Sequence, residues 1–385
     1  MRFRRCSILF LEAHQQVRFD LTGLAGGGDG LQEHLQWRAW APHLEEPLSL
    51  DDAQCQLLGR VSPTRWCDEQ AFRAQDQALL PAMIEAGLLV VEEGAADASG
   101  AAARDQAMRN GHWWPPAAVL HRAARWQGQD SAAAMEERRL FNASDLRAQL
   151  GVPPPEVVDR GQLPGLALPR APADAAIASH RRVTCRNFHP DRAITATQLS
   201  AVLAGSVMAH ARVDAGEEVA YLKKAVPAAG SLHASEVYLW VRQVEGVPAG
   251  LYHYRPLDHA LAALPLPASA RIEVWLAGQH WFADAAVHVL LSVRHGRTFW
   301  KYRNHAKAYR ALLLDLGHVS QALYTEATAQ GLAAYVTAAI NEVDIEQGLG
   351  LDPMHEGVLL ACGFGWRGTR QVMPELDPMG SVWPR

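Results

Sequence analysis

The order of apolar segments beyond residue 173 constrains the fold more than any other feature of this chain. Residues 236–244 and 250–254 alternate apolar and polar side chains, a pattern that predicts two paired strands. Residues 286–293 are mostly apolar and predict a buried strand. Apolar residues then recur every three or four positions over about 304–330, which predicts a long helix that stops at Gly331.

Two more strands are predicted after that helix, at 333–336 and 358–363. Paired strands combined with a long helix are typical of the α+β class, in which helices cover a mainly antiparallel sheet. The part of the chain from about residue 173 onward is therefore expected to be α+β.

The chain is too long for a single domain of ordinary size. Its 385 residues and 42.1 kDa predict two or three domains. Residues 94–112 are rich in Ala, Gly and Asp and are expected to form a linker, and residues 151–172 are too rich in proline to form a long regular element. We predict a module at 1–93, a linker and helical connecting segment at 94–172, and an α+β domain at 173–385.

The first module combines short strands with helices in a pattern that resembles a winged helix. Its predicted elements are, in order, a strand at 6–13, a strand at 34–41, a helix that begins after Ser49 as its N-cap, a helix at 70–86 and a strand at 88–91.

The charge of this module bears on its partner. Residues 1–95 contain 8 Arg, no Lys and 14 acidic residues, a net charge of −6, and the whole chain carries −5. Negative charge disfavours binding to the phosphate backbone of DNA. Two interpretations stay open for the module, peptide docking and a purely structural role, and no nucleic-acid partner is expected.

Several classes of function are disfavoured by missing motifs. The five cysteines are scattered without a CxxC pair, which indicates neither a disulfide framework nor a zinc ribbon and favours a reducing cytoplasm. The 17 histidines show no metal-binding spacing, so no metal is predicted. No apolar run approaches the length of a membrane span, so no membrane contact is expected. A Gly-x-Ser-x-Gly elbow is also absent, which disfavours a hydrolase of that type.

Four short runs could carry chemistry, and the first is an arginine cluster at 180–188. Arg182, Thr184 and Arg186 lie within five residues. Guanidinium groups present paired donors that suit a phosphate. Taken alone, such a cluster is more often a solvated surface, so the residues leave both interpretations open.

The other three runs lie further along the chain. Small residues around Gly230, within 223–236, would let the backbone approach a flat ligand, although an ordinary turn before a strand is the alternative. Lys301 and Tyr302 could share proton transfer if Lys301 is partly buried among aromatic side chains, whereas an ordinary helix cap or ion pair is the alternative. Residues 362–368 close a strand with glycines and an arginine.

In this order the four runs resemble the FMN-binding nitroreductase superfamily, and more closely its SagB-type branch of flavin dehydrogenases in ribosomal-peptide maturation. The resemblance covers about 177–366, roughly half of the chain. It implies a nitroreductase-like FMN-binding α+β fold, with a central and mostly antiparallel sheet wrapped by helices, behind an N-terminal winged-helix-like domain. It also implies a homodimer with two flavin sites at its interface.

The resemblance assigns FMN contacts to four parts of the chain. Residues 182–188 are similar to the family's Arg-Arg-Ser-x-Arg-x-Phe, which implies contacts from Arg182, Thr184 and Arg186 to the phosphate and ribityl chain. Residues 227–233 are similar to the loop at the isoalloxazine edge, where Ala228 replaces the usual serine and leaves backbone contacts. At this edge the likeness assigns contacts to Pro227, Ala228, Ala229, Gly230 and Ser231. It places Ala338 and Ala339 near flavin N5 and O4, and Gly363, Gly365 and Arg367 towards the phosphate.

Lys301 and Tyr302 match the Lys-Tyr pair that the SagB-type branch places at its catalytic centre. The implied activity is a two-electron oxidation, such as azoline to azole, on a modified precursor peptide, together with other maturation enzymes. Two alternatives remain: an NAD(P)H-dependent nitroreductase or ene-type reductase of small molecules, and a catalytically silent peptide-docking subunit.

Overall fold

A computed structural model describes residues 1–92, 100–140, 142–153, 182–216 and 219–383. The predicted linker at 94–172 and the start of the predicted α+β domain therefore lie partly outside the described residues. The described chain divides into two compact units. The first comprises Met1–Ala124 with Thr298–Tyr309, and the second comprises Arg125–Arg297 with Arg310–Arg385.

The first unit contains two three-stranded antiparallel sheets and short helices. Its strands are β1 (Arg2–Arg5), β2 (Phe10–Phe19), β3 (Leu31–Trp40), β4 (Leu48–Leu50), β5 (Cys67–Asp68) and β6 (Leu89–Val91), in the orders β5-β1-β6 and β2-β3-β4. Its helices are α1 (Leu21–Ala25), α2 (Asp52–Arg60), α3 (Ala74–Gln77), α4 (Leu80–Glu85), α5 (Ala101–Asn110) and α6 (Pro115–Ala123). The core includes Phe3, Leu57, Leu58, Leu80 and Leu88, all without exposed surface.

Two boundaries predicted in this unit are wrong. The helix after residue 48 is capped by Asp51, whose side chain accepts the Gln54 N–H at 2.8 Å, whereas Ser49 lies in β4 opposite Arg38. The predicted strand at 6–13 begins only at Phe10, because the N–H of Cys6 donates to Leu88 O at 3.0 Å and draws the preceding residues away from the hairpin.

The helix predicted at 70–86 is broken into shorter pieces. A 3₁₀ turn at Glu69–Ala71 precedes α3 and α4. Pro81 stands in the first turn of α4, where its missing N–H does no harm, but it could not sit inside one continuous helix. The winged-helix description stays a prediction.

The second unit is built on one six-stranded sheet. Its strands are β10 (Ser235–Val241), β12 (Gly250–Arg255), β13 (Ala260–Leu264), β14 (Val287–Arg294), β15 (Ala333–Thr337) and β16 (Glu356–Gly365), in the order β13-β12-β10-β14-β16-β15. All of its pairings are antiparallel. The predictions of an α+β fold and of a mostly antiparallel sheet are confirmed, and each strand predicted beyond residue 230 is present.

Shorter strands and helices surround this sheet. The strands are β7 (Ile194–Thr195), β8 (Ala209–Asp214), β9 (Ala220–Lys224) and β11 (Val244–Glu245). The helices are α7 (Ser131–Glu137), α8 (Ala143–Leu150), α9 (Ala196–Ser206), α10 (Ile272–Trp275), α11 (His295–Phe299), α12 (Ala308–Ala329) and α13 (Glu342–Leu349).

The core of the second unit explains why β14 reads as a continuous apolar run. Seven of its eight residues are buried, because β10 and β16 flank the strand and side chains cover both of its faces. Trp275 of α10 and Ile345 of α13 pack into the same cluster as Leu290. The long predicted helix is α12, and Gly331, with a φ of 71°, follows its end.

Candidate functional site

The arginine cluster lies along the edge of the central sheet. Thr184 forms a parallel bridge with Ala334 of β15, and the N–H of Cys185 donates to Ala334 O at 2.9 Å. Phe188 bridges Arg367, which follows β16, in the antiparallel sense. The structure therefore brings Arg182, Thr184 and Arg367 to the start of β15 from distant parts of the sequence.

Arg182 has a position that suits an anionic group. Its guanidinium carbon lies 5.4 Å from the centre of the Tyr324 ring, and Tyr324 OH donates to Ala334 O at 2.7 Å. Burial raises the pKa of Tyr324, and the neighbouring Thr184 and Arg182 oppose that rise. Within the described ranges no carboxylate pairs with Arg182, which leaves its exposed charge available to a phosphate.

A small cleft opens beside this cluster. Its volume is about 150 Å³, and its lining includes Val183, Ala334 and Arg367. Pockets for whole small ligands usually span about 300–1,000 Å³. The cleft therefore has room for part of a ligand, such as its phosphate end.

Glu375 occupies a position beside two of the predicted phosphate contacts. Its side chain has no exposed surface and pairs with the Arg367 guanidinium. It also accepts the Arg186 N–H at 2.6 Å and the Asn187 Nδ2–H at 2.7 Å, while Trp383 Nε1 donates to its other oxygen at 2.9 Å. The charges of Arg367 and Glu375 thus compensate each other, and phosphate contacts from Arg186 and Arg367 stay predictions.

The loop predicted to face the flavin edge is fixed at two points. The N–H of Ala229 donates to both carboxylate oxygens of Asp315 on α12, at 3.1 and 3.0 Å. At the other end, Arg297 Nε donates to Leu232 O at 3.1 Å. Gly230 has a φ of 60°, which a glycine adopts without strain. Burial raises the pKa of Asp315, whereas the Ala229 N–H opposes that rise.

The two alanines after β15 differ in what their backbones can offer. The N–H of Ala339 donates to Thr337 Oγ1 at 3.1 Å, and Thr337 in turn donates to Gln279 Oε1 at 3.0 Å. Ala338 is exposed, and its N–H has no hydrogen bond with any residue that the structure describes. Of the two predicted contacts, Ala338 is the one with a free donor.

Gly363 and Gly365 have a packing reason to be glycines. A Cβ on Gly363 would lie 2.2 Å from Tyr335 Cε1 and 2.9 Å from Val287 O. A Cβ on Gly365 would lie 2.8 Å from the backbone nitrogen of Ala286. Close approach of neighbouring strands accounts for both residues, and their predicted cofactor contacts are untested.

The predicted catalytic pair lies in the first compact unit, in the turn between α11 and α12. The N–H groups of Lys301 and Tyr302 donate to Thr298 O at 3.2 and 3.0 Å. Lys301 Nζ lies 5.6 Å from the centre of the Tyr302 ring. Lys301 is exposed, so the partial burial assumed for it is wrong, because Phe299 points into the core while the turn faces solvent.

Two residues of the candidate site were not predicted from the sequence. Asp315 is an acid inside the apolar run Leu312-Leu-Leu-Asp-Leu316, and such an interruption of a buried helix face could have indicated a polar contact. Glu375 stands in an irregular segment after β16, and no pattern around it signals that it is buried.

The described ranges contain neither a membrane-spanning helix nor a cluster of metal-binding side chains. No helix in the described ranges is both long and apolar enough to cross a membrane. Within the same ranges, no group of three or more His, Cys, Asp or Glu side chains is placed to hold a metal ion.

Comparisons with known proteins find one family model and several similar proteins. The model of the nitroreductase family matches residues 180–366. The trifolitoxin-processing protein TfxB of Rhizobium leguminosarum bv. trifolii is 30% identical over 149 residues, which cover 37% of this chain and 39% of TfxB. A protein of Methanocaldococcus jannaschii named "Putative nitroreductase MJ1384" is 31% identical over 126 residues, which cover 32% of this chain and 62% of that protein. The chain thus spans less than two thirds of each of these relatives.

Among solved structures, a chain of the Escherichia coli microcin synthetase McbBCD complex with truncated pro-MccB17 bound is similar to this protein. The sequence identity is 20% and the TM-score is 0.46. The match covers 65% of this chain and 91% of that chain.

Proposed function

We propose that the chain, whose residues 180–366 match the model of the nitroreductase family, is an FMN-dependent dehydrogenase that acts on a modified precursor peptide. The observation that carries the proposal is the 30% identity to TfxB, a protein whose name describes trifolitoxin processing. The proposed reaction is a two-electron oxidation of the peptide, such as azoline to azole.

The residues at the edge of the sheet fit one end of the cofactor. Arg182, which has no acidic partner among the described residues, and Thr184 would hold the phosphate beside the cleft. The loop at 227–231 would lie along the edge of the ring system. The free N–H of Ala338 would donate to the ring near N5 or O4. Bound FMN would supply the two-electron acceptor, which no side chain of the protein can provide.

The protein's own part in the reaction is to position the peptide and to take a proton. Oxidation of an azoline removes a hydride equivalent and a proton from the ring. We assign proton removal to Lys301, with Tyr302 as a hydrogen-bonding partner of the substrate. Lysine accepts a proton only in its neutral form, and the exposed side chain of Lys301 is open to a bound peptide.

FMN binding is tested first with Arg182→Ala. The wild-type protein is expected to be yellow and to bind one FMN per chain. Loss of a charge-assisted phosphate contact removes about 1.5–3 kcal/mol, so FMN affinity should fall about ten- to a hundredfold in a fluorescence titration. Arg212→Ala is the matched control, because Arg212 is an exposed arginine paired with Asp214 in the same unit. A colourless wild-type protein that ignores added FMN contradicts the proposal.

The substrate class is tested separately. FMN-loaded protein incubated with an azoline-containing peptide should yield a product lighter by two hydrogens in mass spectrometry. Rapid bleaching of the flavin by NADPH with no peptide present would instead favour a reductase of small molecules. Tight peptide binding by a flavin-free protein would favour a docking subunit.

The module at 1–93 is proposed to bind peptide rather than DNA, because its excess of acidic residues repels phosphate. Fluorescence anisotropy of the full chain with a labelled precursor peptide and a labelled duplex checks this, and tighter binding of the duplex overturns it.

A further inference from the structure

A cavity of about 450 Å³ lies beside the start of β10. It is lined by residues of β9, β10, β12, β14 and β16, all within the second compact unit. One part of its lining is apolar and consists of Leu222, Pro256 and Leu257. The rest of the lining is polar and includes charged side chains. Its volume falls in the range of small-ligand sites.

The first acidic side chain of the cavity is already neutralised. Glu236 Oε1 accepts from Arg294 Nε at 2.6 Å, and its Oε2 lies 3.0 Å from His253 Nε2. Glu236 therefore has a cationic partner on one oxygen and an imidazole on the other. It does not need a further cation from a ligand.

The second acidic side chain is held by hydroxyl groups. Tyr238 OH and Ser292 Oγ both donate to Glu356 Oε1, at 2.8 and 2.6 Å. Burial raises the pKa of Tyr238, and the charge of the nearby Glu356 raises it further. The hydroxyl group therefore keeps its proton in this hydrogen bond. The carboxylate is thereby fixed on one side of the cavity.

Lys224 is the cation of this cavity without a partner. Only 4% of the residue is exposed, yet it lines the cavity, and it makes no hydrogen bond or close ion pair with any residue in the described ranges. Burial lowers the pKa of Lys224, and the charge of Glu236 opposes that effect. An ammonium group on so buried a residue, without a hydrogen-bonded partner among the described residues, would gain from an anion in the cavity.

The neighbouring histidine adds no second positive charge to the cavity. His233 is buried, and burial together with Lys224 lowers its pKa to about 4. It is therefore uncharged near neutral pH. Of the two acidic side chains in the lining, Glu236 is paired with Arg294 and Glu356 is held by two hydroxyl groups, so a ligand with one negative charge is repelled less than a phosphate dianion would be.

We propose that this cavity binds a small monocarboxylate, with its carboxylate against Lys224 and its apolar body against Leu222 and Leu257. The site goes beyond the proposed oxidation, because none of these residues is assigned to the flavin or to proton transfer. A free carboxylic acid and the carboxyl terminus of a peptide share this chemistry. The experiment separates the two sources.

Calorimetric titration of the full chain with benzoate tests the site. Benzoate should bind the wild-type protein, and benzyl alcohol, which lacks the charge, should not. Lys224→Met should weaken benzoate binding about ten- to a hundredfold, since one charge-assisted hydrogen bond is lost. Lys223→Met is the matched control, because Lys223 is the exposed neighbour of Lys224. The Lys223→Met protein should bind benzoate with the same affinity as the wild type.

A second variant keeps the test decisive if Lys224→Met does not fold. Leu257 is 50% exposed at the cavity, so Leu257→Trp should fill the entrance without disturbing the core and should abolish benzoate binding. Binding of N-acetyl-phenylalanine but not of its amide would identify a peptide terminus as an acceptable source, and binding of benzoate alone would identify a free acid. No benzoate binding at millimolar concentration, or equal binding of benzoate and benzyl alcohol, overturns the proposal.

Discussion

The proposed catalytic role of Lys301 and Tyr302 rests on resemblance, because the exposed turn that holds them gives neither residue a contact that would indicate such a role. In FMN-loaded protein, Lys301→Ala and Tyr302→Phe should each slow peptide oxidation about a hundred- to ten-thousandfold, the range of a general acid–base contribution. Rates are measured by mass spectrometry after FMN content has been matched to the wild type. Lys307→Ala, at another exposed lysine of the same turn, is the control. Near wild-type rates in both variants would remove the pair from the mechanism.

His288 allows a prediction about pH at the same scale. It has no exposed surface, its Nδ1 lies 2.9 Å from Tyr335 OH, and burial lowers its pKa from 6.5 to about 3. Between these values the unfolded chain binds a proton that the folded chain does not, so the stability from neutral His288 is lost as the pH falls from about 6.5 to 3. The slope is about 1.4 kcal/mol per pH unit.

The comparison of wild type with His288→Phe isolates this contribution from those of other groups. Denaturant unfolding followed by tryptophan fluorescence at several pH values gives both curves. The stability advantage of the wild type should shrink with acidification, and a constant difference between the two proteins would contradict the assignment.

At the scale of elements, the position of α12 against the loop at 227–231 gives the helix a second use beyond packing. Asp315→Ala removes the acceptor for the Ala229 N–H and should loosen the loop, so FMN affinity should fall about five- to a hundredfold, which corresponds to about 1–3 kcal/mol for a charged acceptor. Gln321→Ala, at an exposed position of the same helix, should leave affinity unchanged. Equal FMN affinity in all three proteins, measured by fluorescence titration, would show that the anchor does not support the cofactor.

The elements also show what a sequence can predict. Period-two alternation in β10 and β12 and the long periodic α12 were predictable, because each pattern reflects a face buried against one sheet. The interrupted helices before Gly87 and the cap at Asp51 were not, since local hydrogen bonds and one proline decide them. The convergence of Arg182, Thr184 and Arg367 was expected only through resemblance, because Arg367 reaches Phe188 by a bridge between distant segments. Nothing in the sequence around Glu375 indicated its contact with Arg367.

For the whole molecule, the proposed arrangement is a homodimer in which the loop at 227–234 completes a flavin site of the partner chain. Light scattering of the FMN-loaded protein should then give twice the 42.1 kDa of one chain. Leu314 on α12 is 60% exposed, as expected for an apolar residue that a second chain covers. A mass of one chain with flavin still bound contradicts the dimer.

The strand order of the central sheet has a consequence for how the protein is made. β16 pairs with both β14 and β15, yet it is the last of the three to leave the ribosome. Until residues 356–365 have been synthesised, one edge of β14 is unpaired. Seven of the eight residues of this strand are buried in the finished sheet, so they lack that cover while the edge is open. Unpaired apolar edges attract other chains. Nascent chains stalled before β16 should therefore be held by chaperones, and slower translation before that point should lower the yield of folded protein.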